Sequence, residues 1–274
     1  MKYLHSLIRS HPVVSFLLLS CIWSWSYWEL LVRPLGMTDD RWMQIPFAWG
    51  PLIAALLVTW LSHEQVRGLT GRVLKWRIRP RWYLLALLLP FIDVFVLLAM
   101  SLFGTPVTLA DRPAYEYPAR FFTTLLIAGA LEEFGWRGFL QPRLQQKYSA
   151  LTSAIVVGLI WAVWHFPVVY FGGASYESGD FFGFLIILPL WSIVMAWLYN
   201  STNGALLIPM LFHASTNTPN PLGMSDTATQ AAKMSFELII LAFWVLLPLF
   251  VVIYNGKKYL APHKPDPISG GRAK

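Results

Sequence analysis

The stretch SFELIILAFWVLLPLFVVIY, residues 235–254, holds one charged residue in twenty positions. At a rise of about 1.5 Å per residue, twenty helical residues span about 30 Å, the thickness of a bilayer's hydrocarbon core. A helix on the surface of a soluble protein keeps a polar face, whereas this run is apolar all round. Similar runs recur along the chain. Of its 274 residues 56% are hydrophobic and only 13% charged, against roughly 25% charged in a soluble globule. Mean hydropathy is +0.53. The runs lack the alternation of a lipid-facing barrel strand, so the backbone must satisfy its own hydrogen bonds as helices. The fold class expected is an all-α polytopic membrane protein.

Eight spans are expected, near 12–32, 45–62, 82–103, 121–140, 151–171, 181–199, 204–218 and 235–254. The first is too long for the apolar core of a signal peptide, and no small-x-small cleavage site follows it, so it is read as a span. The seventh, GALLIPMLFHASTN, is short and polar, and such a segment survives only where protein or water surrounds its polar groups. Cys21 is the only cysteine, which excludes an intrachain disulfide. The chain reads as one domain, 1–274, with its polar motifs in 121–217 and a disordered tail from about 261 to 274.

The net charge of +7 sits between the apolar runs, the pattern of topology-setting loops rather than of a nucleic-acid surface. With the N-terminus inside, sixteen of the 21 lysines and arginines fall in cytoplasmic segments, Arg137 among them. Arg33, Arg41, Arg112, Arg120 and Lys233 fall outside, with the loop around Glu177 and Asp180. Both termini are therefore expected in the cytoplasm, which requires an even number of spans.

An ionisable group at the bilayer centre costs about 2.5–3.5 kcal/mol on insertion scales, so each one needs a reason. Glu132, Glu133, Arg137, His165, His213 and Asn217 all fall inside expected spans, as does Asp93, for which the sequence offers no partner. Counted along the helices, Glu132 and His213 lie roughly 13 Å and His165 roughly 21 Å from the inner surface, at depths that let three helices share one site. Glu133 and Arg137 are spaced i, i+4 and can pair. Glu132 points about 100° away from Glu133 on a regular helix and has no cation in register, which suits a general base tuned by burial and a neighbouring histidine. His213 and Asn217, also i, i+4, aim an imidazole and an amide at one spot, as an oxyanion requires. The bland readings are a structural ion pair for Glu133 with Arg137, a polar helix clasp for His213 with Asn217, and a satisfied histidine at a kinked helix end for His165.

EEFGWR (residues 132–137) resembles the EExxxR motif of the CPBP family, the membrane-embedded CAAX-protease, bacteriocin-processing and abortive-infection proteins related to type II CAAX prenyl endopeptidases. WAVWH (161–165) resembles its second motif, an aromatic residue four positions before a histidine, and HASTN (213–217) its HxxxN. Trp161 stands where the family more often has phenylalanine, which keeps an aromatic wall. The resemblance implies an intramembrane endopeptidase. Glu132 would activate a water that His165 helps to hold, His213 and Asn217 would stabilise the tetrahedral oxyanion, and Glu133 and Arg137 would orient the site. It also implies a peptide or protein substrate in the membrane, prenylated or otherwise lipid-modified.

Three alternatives stand beside this expectation. Zinc held by Glu132, His165 and His213 would leave one coordination position open. The chain lacks HExxH, however, and Asn217 suits an oxyanion better than a metal, so no cofactor is expected. A scaffold or immunity protein would keep the fold without the chemistry. A proton-coupled transporter would show paired broken helices in two repeated halves, and the sequence has no such repeat.

Overall fold

The computed structural model describes residues 2–171 and 180–264. The expectations at Glu177 and for the tail beyond residue 264 lie outside the described residues. The fold is all-α apart from one short ladder, and the chain is an integral, multi-pass membrane protein. Its helices run as α1 (Lys2–Ser10), α2 (Pro12–Val32), α3 (Arg41–Leu61), α4 (Pro80–Leu102), α5 (Glu116–Leu126), α6 (Ala150–Trp164), α7 (Phe181–Ser201), α8 (Leu207–Thr216) and α9 (Gln230–Asn255). Of these, α2, α3, α4, α7 and α9 are long and apolar enough to cross a membrane.

Local chemistry sets the ends. Pro12, which has no N–H to satisfy, sits in the first turn of α2. Ser149 and Thr229 cap α6 and α9 by accepting from Thr152 N at 3.1 Å and Ala232 N at 3.2 Å. Gly256, at φ +71°, stops α9 in a conformation that costs a glycine nothing. On one face of the bundle β1 (Val107–Leu109) pairs antiparallel with β2 (Leu222–Met224).

The interior is aromatic. Phe16, Trp28, Trp136, Phe139 and Trp164 are fully buried, with Phe47 nearly so. Phe16 lies 5.7 Å from Trp136, and Phe47 4.4 Å from Trp164, ring centre to ring centre. Two tryptophans nearer the surface tie helices together through their indole N–H groups. Trp25 donates to the Trp164 carbonyl at 3.0 Å, and Trp23 to that of Pro46 at 2.8 Å.

Three expected spans differ in form from the sequence reading. The fourth, expected as one helix over 121–140, breaks. Helix α5 ends at Leu126, Gly129–Glu132 forms a 3-10 turn, and Phe134–Leu140 is a π-helix. Glycines at 129, 135 and 138 weaken the regular helix there, and Trp49 donates to the carbonyl freed at Ile127, at 2.6 Å. Arg137, counted among the loop cations, is fully buried in the interior. The fifth span stops at Trp164 and continues as the separate turn Phe166–Tyr170, where Pro167 has no N–H to carry the ladder on. The seventh holds only ten helical residues, most of them buried by neighbouring protein, which is what its polar content requires.

Helix α6 lies along α7 at a glycine-to-proline contact. A Cβ on Gly158 would run into the Pro189 Cα, with the Leu188 carbonyl oxygen 2.8 Å away. Neither is the end of a flexible side chain, so Gly158→Ala should overpack the pair and cost about 1–3 kcal/mol. A thermal melt in detergent should show a lower midpoint, and an unchanged one would mean that the two helices part easily.

Candidate active site

Glu132 ends the 3-10 turn and Glu133 leads into the π-helix that carries Trp136 and Arg137. Trp161 lies in the last turn of α6, which His165 caps. His213 belongs to α8, and Asn217 caps its C-terminus. The break in the fourth span thus turns two adjacent carboxylates toward different partners.

Glu133 and Arg137 are both fully buried. Arg137 Nη1 lies 3.1 Å from Glu133 Oε1 and 3.0 Å from Oε2. The same Oε1 accepts from His213 Nδ1 at 2.8 Å, so one carboxylate joins the fourth span to α8. The Arg137 guanidinium lies over the Trp161 ring, 4.9 Å from its centre, a favourable stacking for a cation in a dry interior.

Glu132 is 3% exposed and, among the described residues, forms no ion pair with a lysine or arginine. Its Oε2 accepts from the indole N–H of Trp161 at 2.8 Å and of Trp136 at 3.1 Å. Two donors on one oxygen hold the carboxylate still and leave Oε1 as the oxygen offered to a water. Sequence reasoning missed both donors. Trp136 had a signal, being four residues from Glu132 in a buried helix where an indole needs an acceptor. Trp161 was read only as an aromatic wall.

His213 and Asn217 converge on Gly129. A Cβ there would lie 2.7 Å from His213 Nε2 and 3.1 Å from Asn217 Nδ2, so only glycine leaves room for the two nitrogens. This residue was also missed, and nothing in an apolar run marks one glycine above another. With Nδ1–H given to Glu133, Nε2 accepts when His213 is neutral and donates when the ring carries both protons. His165 gives its Nδ1–H to the Trp161 carbonyl at 2.9 Å, which leaves its Nε2 as an acceptor.

Glu132, Trp161, His165, His213 and Asn217 all line one cavity of about 1010 Å³, with Gly129 in its wall. Asp93 does not belong to it and lies part-buried on α4. The Trp161 ring packs against both imidazoles, 5.9 Å from His165 and 5.3 Å from His213 between centres. Among the described residues no three His, Cys, Asp or Glu side chains gather closely enough to hold a metal ion. The donors proposed for zinc share a wall without closing into a ligand set.

Residues 114–219 match the family model of type II CAAX prenyl endopeptidases, Rce1-like. A CAAX prenyl protease 2 from Methanococcus maripaludis is 28% identical over 142 residues, 49% of this chain and 49% of that protein. A lysostaphin resistance protein A from Staphylococcus haemolyticus is 28% identical over 170 residues, 60% of this chain and 45% of that protein. The matched region thus spans about half the length of these curated relatives. The resemblance carried by three short motifs extends over residues 114–219, which hold Gly129, Glu132, Trp161, His165, His213 and Asn217 of the cavity. The stretch that holds the site, from Glu132 to Asn217, lies within the segment that matches the Rce1-like CAAX prenyl endopeptidase family model.

Proposed function

We propose that the protein is an intramembrane endopeptidase that hydrolyses a peptide bond in a membrane-associated substrate, with Glu132 as the base that activates water. The observation that carries this reading is the convergence in one cavity of a held carboxylate, an imidazole acceptor and a pair of nitrogens gathered over Gly129. A water bound by Glu132 and by His165 Nε2 gives its proton to Glu132 as its oxygen attacks the carbonyl carbon. The carbonyl oxygen becomes an oxyanion to which Asn217 Nδ2 donates, as does His213 Nε2 when its ring carries both protons. Glu132 then passes the proton to the amine as the C–N bond breaks. Glu133 holds the His213 ring in place through Nδ1. Asn217, a poor zinc ligand and a good oxyanion donor, favours chemistry without zinc.

Proteomics of membranes with and without the protein would first identify a peptide whose cleavage depends on it. On that substrate Glu132→Gln, which keeps shape but cannot take a proton, should slow turnover by about 100-fold or more while leaving folding intact. Full activity in that variant would end the glutamate mechanism. Single Ala variants of His213 and Asn217 should each slow the reaction, and the double variant should lose less than the product of the two if both serve one oxygen. Activity should also survive chelators. Tight one-to-one zinc, whose removal and return switch cleavage off and on, would reverse the metal-free reading.

Two further substitutions separate positioning from chemistry. Trp161→Phe keeps the ring and deletes the shorter bond to Glu132. A hydrogen bond to a charged group contributes about 1.5–3 kcal/mol, so turnover should fall by about ten- to a hundredfold with little change in thermal midpoint. Glu133→Gln instead breaks a buried ion pair, which costs about 3–5 kcal/mol. Its first symptom should be a lower melting temperature, and a stable but slow variant would mean that Glu133 acts in the chemistry itself.

A further inference from the structure

Hydrogen bonds sort the connecting segments into two groups. In the first, Leu206 N donates to the Arg72 carbonyl at 3.1 Å, Lys75 Nζ to that of Asn203 at 3.0 Å, and Asn200 Nδ2 to that of Tyr259 at 2.7 Å. Ala150 N and Leu151 N donate to the Lys258 and Lys257 carbonyls, and Arg143 pairs with Glu64. The His5 and His63 rings meet at 6.2 Å, which brings α1 to the same face. In the second group the β1–β2 ladder joins the segment after α4 to the one after α8. Glu116 there lies 3.5 Å from Arg112 and 4.0 Å from Arg41.

The two faces differ sharply in charge. From Arg9 to Lys264 the first face holds twelve lysines and arginines, and Glu64 is its one acidic residue among the described residues. The second holds five, Arg33, Arg41, Arg112, Arg120 and Lys233, beside Asp39, Asp40, Asp111, Glu116, Asp180 and Asp226. Basic segments are retained in the cytoplasm during insertion. The cavity runs from Glu132 and His213 to Asp39, Trp42, Arg112 and Tyr115, all of the second face. Trp42 and Tyr115 are more than half exposed there. Deeper in, Phe47, Phe184, Ile187, Leu188 and Trp191 make an apolar wall.

We infer that the site is reached from outside the cell membrane: the basic face is cytoplasmic, the cavity opens on the extracytoplasmic side, and the substrate is a peptide segment with apolar side chains exposed there. This rests on the protease reading for what happens in the cavity, but not for the direction in which it opens. From that opening a segment confined to the cytoplasm has no route to Glu132. The exported part of a membrane-anchored protein, next to the outer surface, has one.

The test uses the full chain with Cys21→Ala, expressed in bacterial spheroplasts and exposed to a membrane-impermeant maleimide. Ala119→Cys, on the cavity rim, should label in intact spheroplasts, and Gln146→Cys, on the basic face, only after permeabilisation. The reverse pattern would overturn the inference. In the same host, peptide ends that depend on the protein and vanish with Glu132→Gln should map to extracytoplasmic segments, and ends mapping to cytoplasmic segments would overturn it as well. If Ala119→Cys labels from outside and no end depends on Glu132, the direction of access stands and the protease reading falls.

Discussion

The Glu133 carboxylate receives Arg137 from one side and His213 from another, with hardly any solvent on any of the three. A lone charge in such surroundings would cost several kcal/mol, so Glu133 and Arg137 each need the other, and His213 satisfies a further hydrogen bond of the carboxylate. The requirement fixes the distance between the fourth span and α8 and the face that each presents. It also fixes the imidazole, because a ring held at Nδ1 has a determined direction for Nε2. The cavity geometry follows from this contact: Nε2 points over Gly129, where Asn217, one turn further along α8, brings its amide nitrogen.

A regular helix would not serve. Glu132 must face the Trp161 indole of α6 while Glu133 faces α8, and the segment must leave a backbone surface bare enough for two nitrogens to approach. The 3-10 turn ending at Glu132 and the π-helix after Glu133 change the angular step between neighbours and set the two carboxylates on separate tasks. Such irregular backbone is costly in lipid and persists only where protein satisfies it. Trp49 does so at Ile127, and Arg72, which donates to the Gly138 carbonyl at 2.8 Å, does so at the far end. Departures of this kind within helices occur frequently at functional sites.

The long spans were legible because hydropathy over twenty residues reports directly on solvent. The ion pair of Glu133 with Arg137 and the pairing of His213 with Asn217 were legible because i, i+4 spacing survives modest changes in helical twist. The break at Ile127 was not, since the residues from Phe121 to Leu140 are apolar enough to pass as one helix and glycine is nearly neutral on a hydropathy scale. Glu133's second partner lies 80 positions away, beyond any local spacing rule. Gly129 matters through the space it leaves, which no residue type announces. The indole donors to Glu132 were legible in part, because a tryptophan buried beside a carboxylate must spend its N–H somewhere.

Trp161 shows how one side chain can carry several constraints at once. Its N–H holds Glu132, its face receives the Arg137 cation, and its ring edges crowd His165 and His213. Phenylalanine would fill most of that volume and offer a π-face to the guanidinium, but it would leave the carboxylate with Trp136 alone. The indole therefore restrains the proposed base while walling the two imidazoles, which keeps the ionisable groups in one cavity without letting them merge into a metal-like cluster. In the proposed mechanism a water between Glu132 and His165 would meet a carbonyl arriving along the apolar wall below Trp42 and Tyr115, so the packing that restrains the base would also set the path of the substrate.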